Sequence, residues 1–383
     1  TSSSRGKSTG WCSGVRERAR RSVARRASSS GRGEISLPVL VEELHDAPSP
    51  ADACARLLDL PFPLLLESAA RGGSMGRYSY LTADPSHVWS THPDDASDAL
   101  EQAAAYLAAH RTEPVPGLPP FQGGVAGFLG YEFGRRLERI PAPRTDDLRV
   151  PDAWLGAYDW VVAWDHAQGK TWVVAGVAGR RGSGATAAGQ RGSRAAGQSA
   201  EDRIQDIAGR LRGSARVIAA PRVPGVSSPE FRSGFTRDEY LHAVERVRQY
   251  ILAGDIFQAN LSQRFEAPWP GDPFDFYRRL TTVNPAPFAA YFQGSGFAVA
   301  SASPERFLSV DPDGRVETRP IKGTRRRGET PAEDRRLADE LLASEKDRAE
   351  NVMIVDLLRN DLSKVCRPGS VEVPALCALE SHP

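Results

Sequence analysis

The pattern of apolar and polar positions divides the chain into strand-like and helix-like stretches before any single residue is considered. Apolar runs at 37–44 and 57–66 are followed by strand-like stretches at 160–164 and 171–175, and their separation by residues 165–170 predicts a β-hairpin. Thr236 and Glu239 have the spacing of a capping box. Tyr240, Ala243, Val244, Val247, Tyr250 and Ile251 follow at helical intervals until Gly254 supplies a stop, predicting an amphipathic helix. Beyond it Phe257, Ala259, Leu261 and Phe265 alternate with Gln258, Asn260, Ser262 and Arg264, which is the period of a strand with one polar face. Further strands are expected at 287–293 and 297–303, and a hairpin over 306–319 turns through Pro312, Asp313 and Gly314. Thr330, Pro331 and Glu333 open another helix, and Ser344 caps the next, which runs to about residue 360. Strands followed by helices predict an α+β fold with a large, mostly antiparallel sheet.

The last helix departs from the amphipathic pattern. Val352, Met353, Ile354, Val355, Leu357 and Leu358 cover nearly its whole circumference, the pattern of a buried helix. Asp347, Glu350 and Asp361 share one side with Asn351, Ile354 and Leu358, so at least one carboxylate is expected to face the interior or a cleft. A buried carboxylate needs a partner. Ion pairing with Lys346, Arg348 or Arg359 and coordination of a metal are both open on this pattern.

Composition adds boundaries. Residues 1–33 are rich in Ser, Arg and Gly with Glu17 as their one acid, and read as a disordered basic segment; the same composition suits an organellar transit peptide. Residues 178–226 are again rich in Gly, Ala, Arg and Ser and read as a low-complexity insertion or linker, interrupted by an amphipathic patch around 204–211. Structured regions are therefore expected at 34–177 and 227–383. With 383 residues, 40% of them hydrophobic, the chain is long enough for a substantial core. A net charge of +1 argues against nucleic acid or an anionic membrane as the main partner. No apolar run approaches the roughly 18 residues of a membrane span. Cys12, Cys54, Cys366 and Cys377 are scattered, without the paired spacing of a zinc site or a disulfide framework, and fit a reducing, cytoplasmic setting.

Candidate chemistry sits between the strands and the last helices. Lys322 lies between Ile321 and Gly323, where glycine lets the backbone approach a ligand and Thr324 adds a hydroxyl. A desolvated lysine there would serve as nucleophile or base, whereas the plain alternative is a surface loop lysine. The run Arg325, Arg326 and Arg327 reads as solvated. Glu305, at the end of a strand, is either a general acid or the partner of Arg306. Of the seven histidines only His382 lies near these motifs, which weakens Ser-His-Asp and metallohydrolase readings, and no phosphate-binding glycine loop is present.

In this order the segments become specific. Residues 254–265, Asn284 to Phe288, Ser303 to Phe307, Pro320 to Thr324 and Lys346 to Asp361 resemble successive signatures of the chorismate-utilising enzyme family. Leu65 to Ser68, Gly76 to Ser79 and Gly123 to Glu132 agree in the first half, so the resemblance covers about 36–383 apart from the insertion. Anthranilate synthases typically carry alanine at the position of Lys322 and histidine at that of Asn351. At both positions this chain is similar to the aminodeoxychorismate synthases.

The resemblance implies an anthranilate synthase component I-like β-sheet sandwich. It implies that Lys322 attacks C2 of chorismate and expels the C4 hydroxyl, that Glu305 is the general acid/base for that hydroxyl, and that ammonia then adds at C4. The product would be 4-amino-4-deoxychorismate, the precursor of para-aminobenzoate and folate. Gly323 and Thr324 would contact the ring carboxylate, Glu350 would bind a single Mg²⁺, and Glu67, Ser68, Pro285, Ala286 and Pro287 would line a tryptophan pocket. None of the cysteines has the setting of a glutaminase nucleophile, so a separate glutamine amidotransferase is the expected ammonia source. The family pattern continues past Pro383 with a Gly-rich segment, an arginine and further acids, so the chain reads as C-terminally truncated. The competing readings are anthranilate synthase component I and a non-catalytic remnant that binds chorismate, tryptophan or the partner.

Overall fold

The computed structural model describes residues 39–70, 75–143, 145–176, 190–191, 199–213 and 230–381. The expectations for 1–33 and for most of 178–226 fall outside them. In chain order the elements begin β1 (Val39–Glu43), α1 (Pro50–Ala55), β2 (Leu64–Glu67), β3 (Tyr78–Thr82), β4 (His87–Thr91), α2 (Ala99–Ala109), β5 (Gly124–Leu129), β6 (Ala153–Tyr158), β7 (Trp160–Asp165), β8 (Lys170–Gly176), β9 (Gln190–Arg191) and α3 (Ala200–Arg212). They continue with β10 (Arg232–Ser233), α4 (Arg237–Ala253), β11 (Phe265–Glu266), α5 (Pro273–Val283), β12 (Phe288–Gln293), β13 (Ala298–Ser303), β14 (Ser309–Val310), β15 (Val316–Glu317), α6 (Pro331–Ala343) and α7 (Glu345–Ser363). The class is α+β, as the patterning predicts, and the strand pairings are antiparallel.

Two compact units divide the chain. Of the described residues, the first holds 39–46 together with those within 85–164 and 170–210. Within it β1, β8 and β7 lie side by side, and β5, β6, β4 and β9 form a four-stranded sheet. Every residue of β6 and β7 is buried, which explains why 160–164 reads as a continuous apolar run and not as an alternation. Trp89, Phe133, Leu155 and the small residues Ala99, Ala103, Ala153 and Ala157 fill the core beside α2. Gly127 permits the closest approach in this sheet, because a Cβ there would stand 2.0 Å from the Trp154 carbonyl oxygen.

The second unit comprises the described residues within 47–84, 165–169 and 211–381. Its sheet runs β3, β2, β12, β13, with α1 against β2 and β3 and α5 against β12 and β13. Leu57, Leu65, Leu81, Phe274, Tyr277 and Tyr291 are fully buried here, and Phe274 meets Tyr291 edge-on at 4.9 Å. The turn after β7 is closed by Asp165, whose carboxylate accepts from Arg77 Nη2 at 2.7 Å and from the backbone of Ala167 at 3.0 Å.

Several sequence expectations hold in detail. The hairpin of β7 and β8 forms, the capping box at Thr236 and Glu239 is complete, and Gly254 takes the left-handed conformation at φ 84° that ends α4. The β14–β15 hairpin turns at Gly314. Two expectations are corrected. The alternating run 257–265 is a strand only at Phe265–Glu266, paired with Arg232–Ser233. Alternation specifies a strand only where a neighbour completes the ladder, and Phe257 is instead 58% exposed. The helix expected to be buried, α7, has no buried residue among the described ones, and Val352 and Leu357 are each 40% exposed. Its all-round hydrophobicity shows that the helix suits apolar surroundings, but burial needs neighbours that the described elements do not supply.

Substitution of Gly127 by Ala is expected to lower unfolding free energy by about 1–3 kcal/mol in urea titration, because backbone atoms must move to admit the methyl group. An unchanged midpoint would contradict the packing described.

Candidate functional site

Two clusters of sequence-selected residues form in the second unit. The first gathers where β2 ends beside the segment that follows α5. Glu67 is the last residue of β2 and pairs across the ladder with Ala289 of β12. The Ser68 hydroxyl donates to the Tyr78 carbonyl at 2.7 Å and lies 3.2 Å from that of Pro287, while its N–H donates to Ser79 Oγ at 3.0 Å. The N–H groups of Ala69 and Ala70 both donate to the Ala286 carbonyl, at 2.9 and 3.1 Å. Glu67, Ser68, Ala286 and Pro287, with Pro285 adjoining, therefore form one hydrogen-bonded patch. The phenol of Tyr277 donates to Glu67 Oε2 at 2.8 Å. Burial, with the Glu67 charge adding to it, holds the Tyr277 phenol and the neighbouring Cys54 thiol in their neutral forms far above their ordinary ionisation range.

The second cluster surrounds Lys322. Ser303 ends β13, and its hydroxyl both accepts from the Glu305 N–H at 3.3 Å and donates to the Glu305 carbonyl at 3.1 Å, a local turn that swings Glu305 off the strand. The Glu305 carboxylate then accepts from the Ile321 N–H at 3.0 Å, one residue before Lys322. Arg306 pairs with Glu317 instead, where Arg319 Nε also donates at 2.8 Å, so the plain reading of Glu305 as the partner of Arg306 is corrected. Hydrogen bonding to Arg319, with both guanidinium charges nearby, holds the Glu317 carboxyl below its ordinary value.

Lys322 is half-buried and makes no hydrogen bond or ion pair among the described residues. Gly323 has φ 69°, and a Cβ there would lie 2.8 Å from Cβ and Cγ of Asp347, so glycine is required by both conformation and space. Thr324 is exposed and Glu350 half-buried. Asn351 Nδ2 donates to the Pro320 carbonyl at 3.4 Å. The structure thus places Glu305, Lys322, Gly323, Thr324 and the first turns of α7 in one neighbourhood.

The arginine run is exposed at Arg326 and Arg327, as expected of a solvated run, whereas Arg325 is half-buried, and all three are ion-paired. Arg325 bonds Glu340 at 2.9 Å and Asp347 at 3.2 Å, Arg326 pairs with Glu333, and Arg327 pairs with Asp334 at 2.7 Å. Each cation finds a carboxylate on α6 or α7. Asp347 and Arg325 are the residues that sequence reasoning undervalued. The signal for them was the requirement for Gly beside Lys322, which implies that something must pack there.

A metal fit is incomplete. Glu350 offers one carboxylate, whereas a hard cation takes about six oxygen ligands. No group of three or more His, Cys, Asp or Glu positioned for a metal occurs among the described residues. These residues alone do not make a Mg²⁺ site.

Two measurements check this geometry. Ser68→Ala should cost about 1–3 kcal/mol of stability, since the carbonyls of Tyr78 and Pro287 lose their donor, and an unaltered denaturation midpoint would contradict the network. The Asp334 carboxyl is lowered to about 2 by its hydrogen bonds to Arg327 and the Gly328 N–H. Its contribution to stability is therefore complete above the ordinary aspartate value of about 3.9 and disappears as pH falls through about 2. The stability difference between the native chain and Asp334→Asn should be constant above pH 5 and shrink towards pH 2; a difference independent of pH would contradict the pairing.

Over residues 63–383 the chain matches the model of the chorismate binding enzyme family. It is 35% identical over 375 residues to anthranilate synthase component 1 of Mycolicibacterium smegmatis, covering 90% of this chain and 68% of that one. It is also 35% identical over 339 residues to aminodeoxychorismate synthase component 1 of Salmonella typhimurium, covering 85% and 68%. The crystal structure of anthranilate synthase component I from Streptococcus pneumoniae superposes with a TM-score of 0.59 at 27% identity, over 76% of this chain and 63% of that one. The chain thus spans roughly two thirds of the length of the proteins it matches. No helix among the described residues is long and apolar enough to cross a membrane. By the extent of the family match and by these identities, the chain belongs to the chorismate binding enzymes.

Proposed function

We propose that the chain is the chorismate-binding part of an aminodeoxychorismate synthase component 1, forming 4-amino-4-deoxychorismate from chorismate and ammonia. Relatives named for the two activities match equally well, so their names do not choose between them. The observation that carries the choice is Lys322, in the loop whose preceding N–H is held by Glu305 at 3.0 Å. An amine nucleophile next to a carboxylic acid suits displacement of a hydroxyl.

The Lys322 free amine forms a bond to C2 of chorismate as the ring double bond shifts and the C4 hydroxyl leaves. Protonated Glu305 gives that hydroxyl its proton, releasing water. Ammonia then bonds to C4 while the C2–N bond to Lys322 breaks, returning the lysine. The protons shed by the two nitrogens reprotonate Glu305 and the lysine. Gly323 and Thr324 bring backbone and hydroxyl to the substrate carboxylate. Mg²⁺ is the cofactor that accompanies this reading; Glu350 would be one of its ligands, and the rest of its shell would come from groups other than the described residues. A glutamine amidotransferase would supply the ammonia, and the Glu67, Ser68 and Pro285–Pro287 patch would be the place for a tryptophan molecule, with Glu67 facing its ammonium.

Anthranilate synthase remains the second reading because of the equal match. Chorismate with ammonium, followed by chromatography and fluorescence, separates the two. The expected result is aminodeoxychorismate from the native protein and a loss of about 10³-fold or more in Lys322→Ala, with an unchanged melting temperature. Fluorescent anthranilate, or undiminished turnover in Lys322→Ala, would overturn the proposal.

A further inference from the structure

Asp347 has no part in the chemistry above, yet it touches the Lys322 loop twice. Its Cβ and Cγ fill the space that a side chain on residue 323 would need. Its Oδ2 accepts from Arg325 Nη2 at 3.2 Å, and both side chains are largely shielded, 17% and 29% exposed. Arg325 turns back on the loop itself, donating from Nη1 to the Thr324 carbonyl at 3.0 Å. Four residues along α7, and therefore on the same face, Asn351 holds the Pro320 carbonyl. Residues 320–325 are thus fastened to α7 at both ends, with the Glu305 carboxylate gripping Ile321 between them. The side chain left over in the middle is Lys322.

We propose that Asp347 is a positioning residue that sets the pose of Lys322 by fastening the 320–325 loop to the first turn of α7. Asp347 is itself well placed to stay rigid and charged. Its N–H donates to the α7 cap Ser344 at 3.3 Å, and the Ser344 hydroxyl and the Arg325 guanidinium hold its carboxyl below the ordinary aspartate value. A charged carboxylate in the first turn also suits the positive end of the helix. Arg325 has a second anchor in Glu340 of α6, so neutralising Glu340 is the natural comparison. The functional meaning of this proposal rests on the reading of Lys322 as nucleophile, whereas the fastening can be measured without it.

The test is residue-resolved acetylation with acetic anhydride at pH 8, followed by mass spectrometry of the peptides. With the loop released, Lys322 should acetylate about threefold or more faster in Asp347→Ala, while Lys170, in the other unit, keeps its rate. Asp347→Glu should return most of the native rate, and Glu340→Gln should change it less than Asp347→Ala does. An unchanged Lys322 rate in Asp347→Ala would overturn the proposal, and so would equal acceleration of Lys170, which would mean a general loss of structure. In turnover, Asp347→Ala should lose about tenfold or more in kcat with KM within about threefold, the signature of a misplaced reacting group. Full activity in Lys322→Ala would remove the nucleophile reading but leave the acetylation result standing. Unchanged acetylation in Asp347→Ala would remove the positioning role whatever Lys322→Ala does.

Discussion

The hydrogen bond from the Ile321 N–H to the Glu305 carboxylate joins the two halves of the candidate site. Without it, Glu305 would belong to the end of β13 and Lys322 to a separate loop. The bond requires that Glu305 be free of Arg306, which is why the pairing of Arg306 with Glu317 matters. It also requires that the loop return to α7, which Gly323, Arg325 and Asn351 accomplish together. The Ile321 N–H occupies Oε1 alone, so the bond directs the acid while leaving Oε2 for proton transfer.

The sheet of the second unit sets the distance between the two clusters. β12 is shared: Ala289 pairs with Glu67 on one side and with Ala302 on the other, and Phe288 pairs with Ser303. The Glu67–Ser68 patch and the turn that carries Glu305 therefore emerge at the same end of three adjacent strands. Strand register, more than any single contact, fixes this arrangement, since a slip by one residue would send these side chains to the opposite face.

Much of this was legible in the chain. Capping residues at Thr236, Thr330 and Ser344 marked helix starts that the structure reproduces, because a cap is a local interaction encoded within four residues. The strands at 288–293 and 298–303 were legible because each finds its neighbour in the other across a short connection, and the hairpin turn at Gly314 is as local. The run 257–265 misled because strand formation depends on a neighbour, and α7 misled because burial depends on what surrounds it. The site residues were found by their order along the chain, in a pattern that resembles a family, and the structure brings them together. The ion pairs of the arginine run were not legible, since the carboxylate partners lie seven to twenty-two residues away and only folding reveals them.

The central claim is that Lys322 bonds to the substrate during turnover. Incubating the protein with chorismate in the absence of ammonia, quenching and digesting it should yield a peptide containing Lys322 that is heavier by chorismate less one water. The same treatment of Lys322→Ala should leave every lysine unmodified. Formation of aminodeoxychorismate by a protein that never carries this adduct, with Lys322→Ala turning over normally, would contradict the account.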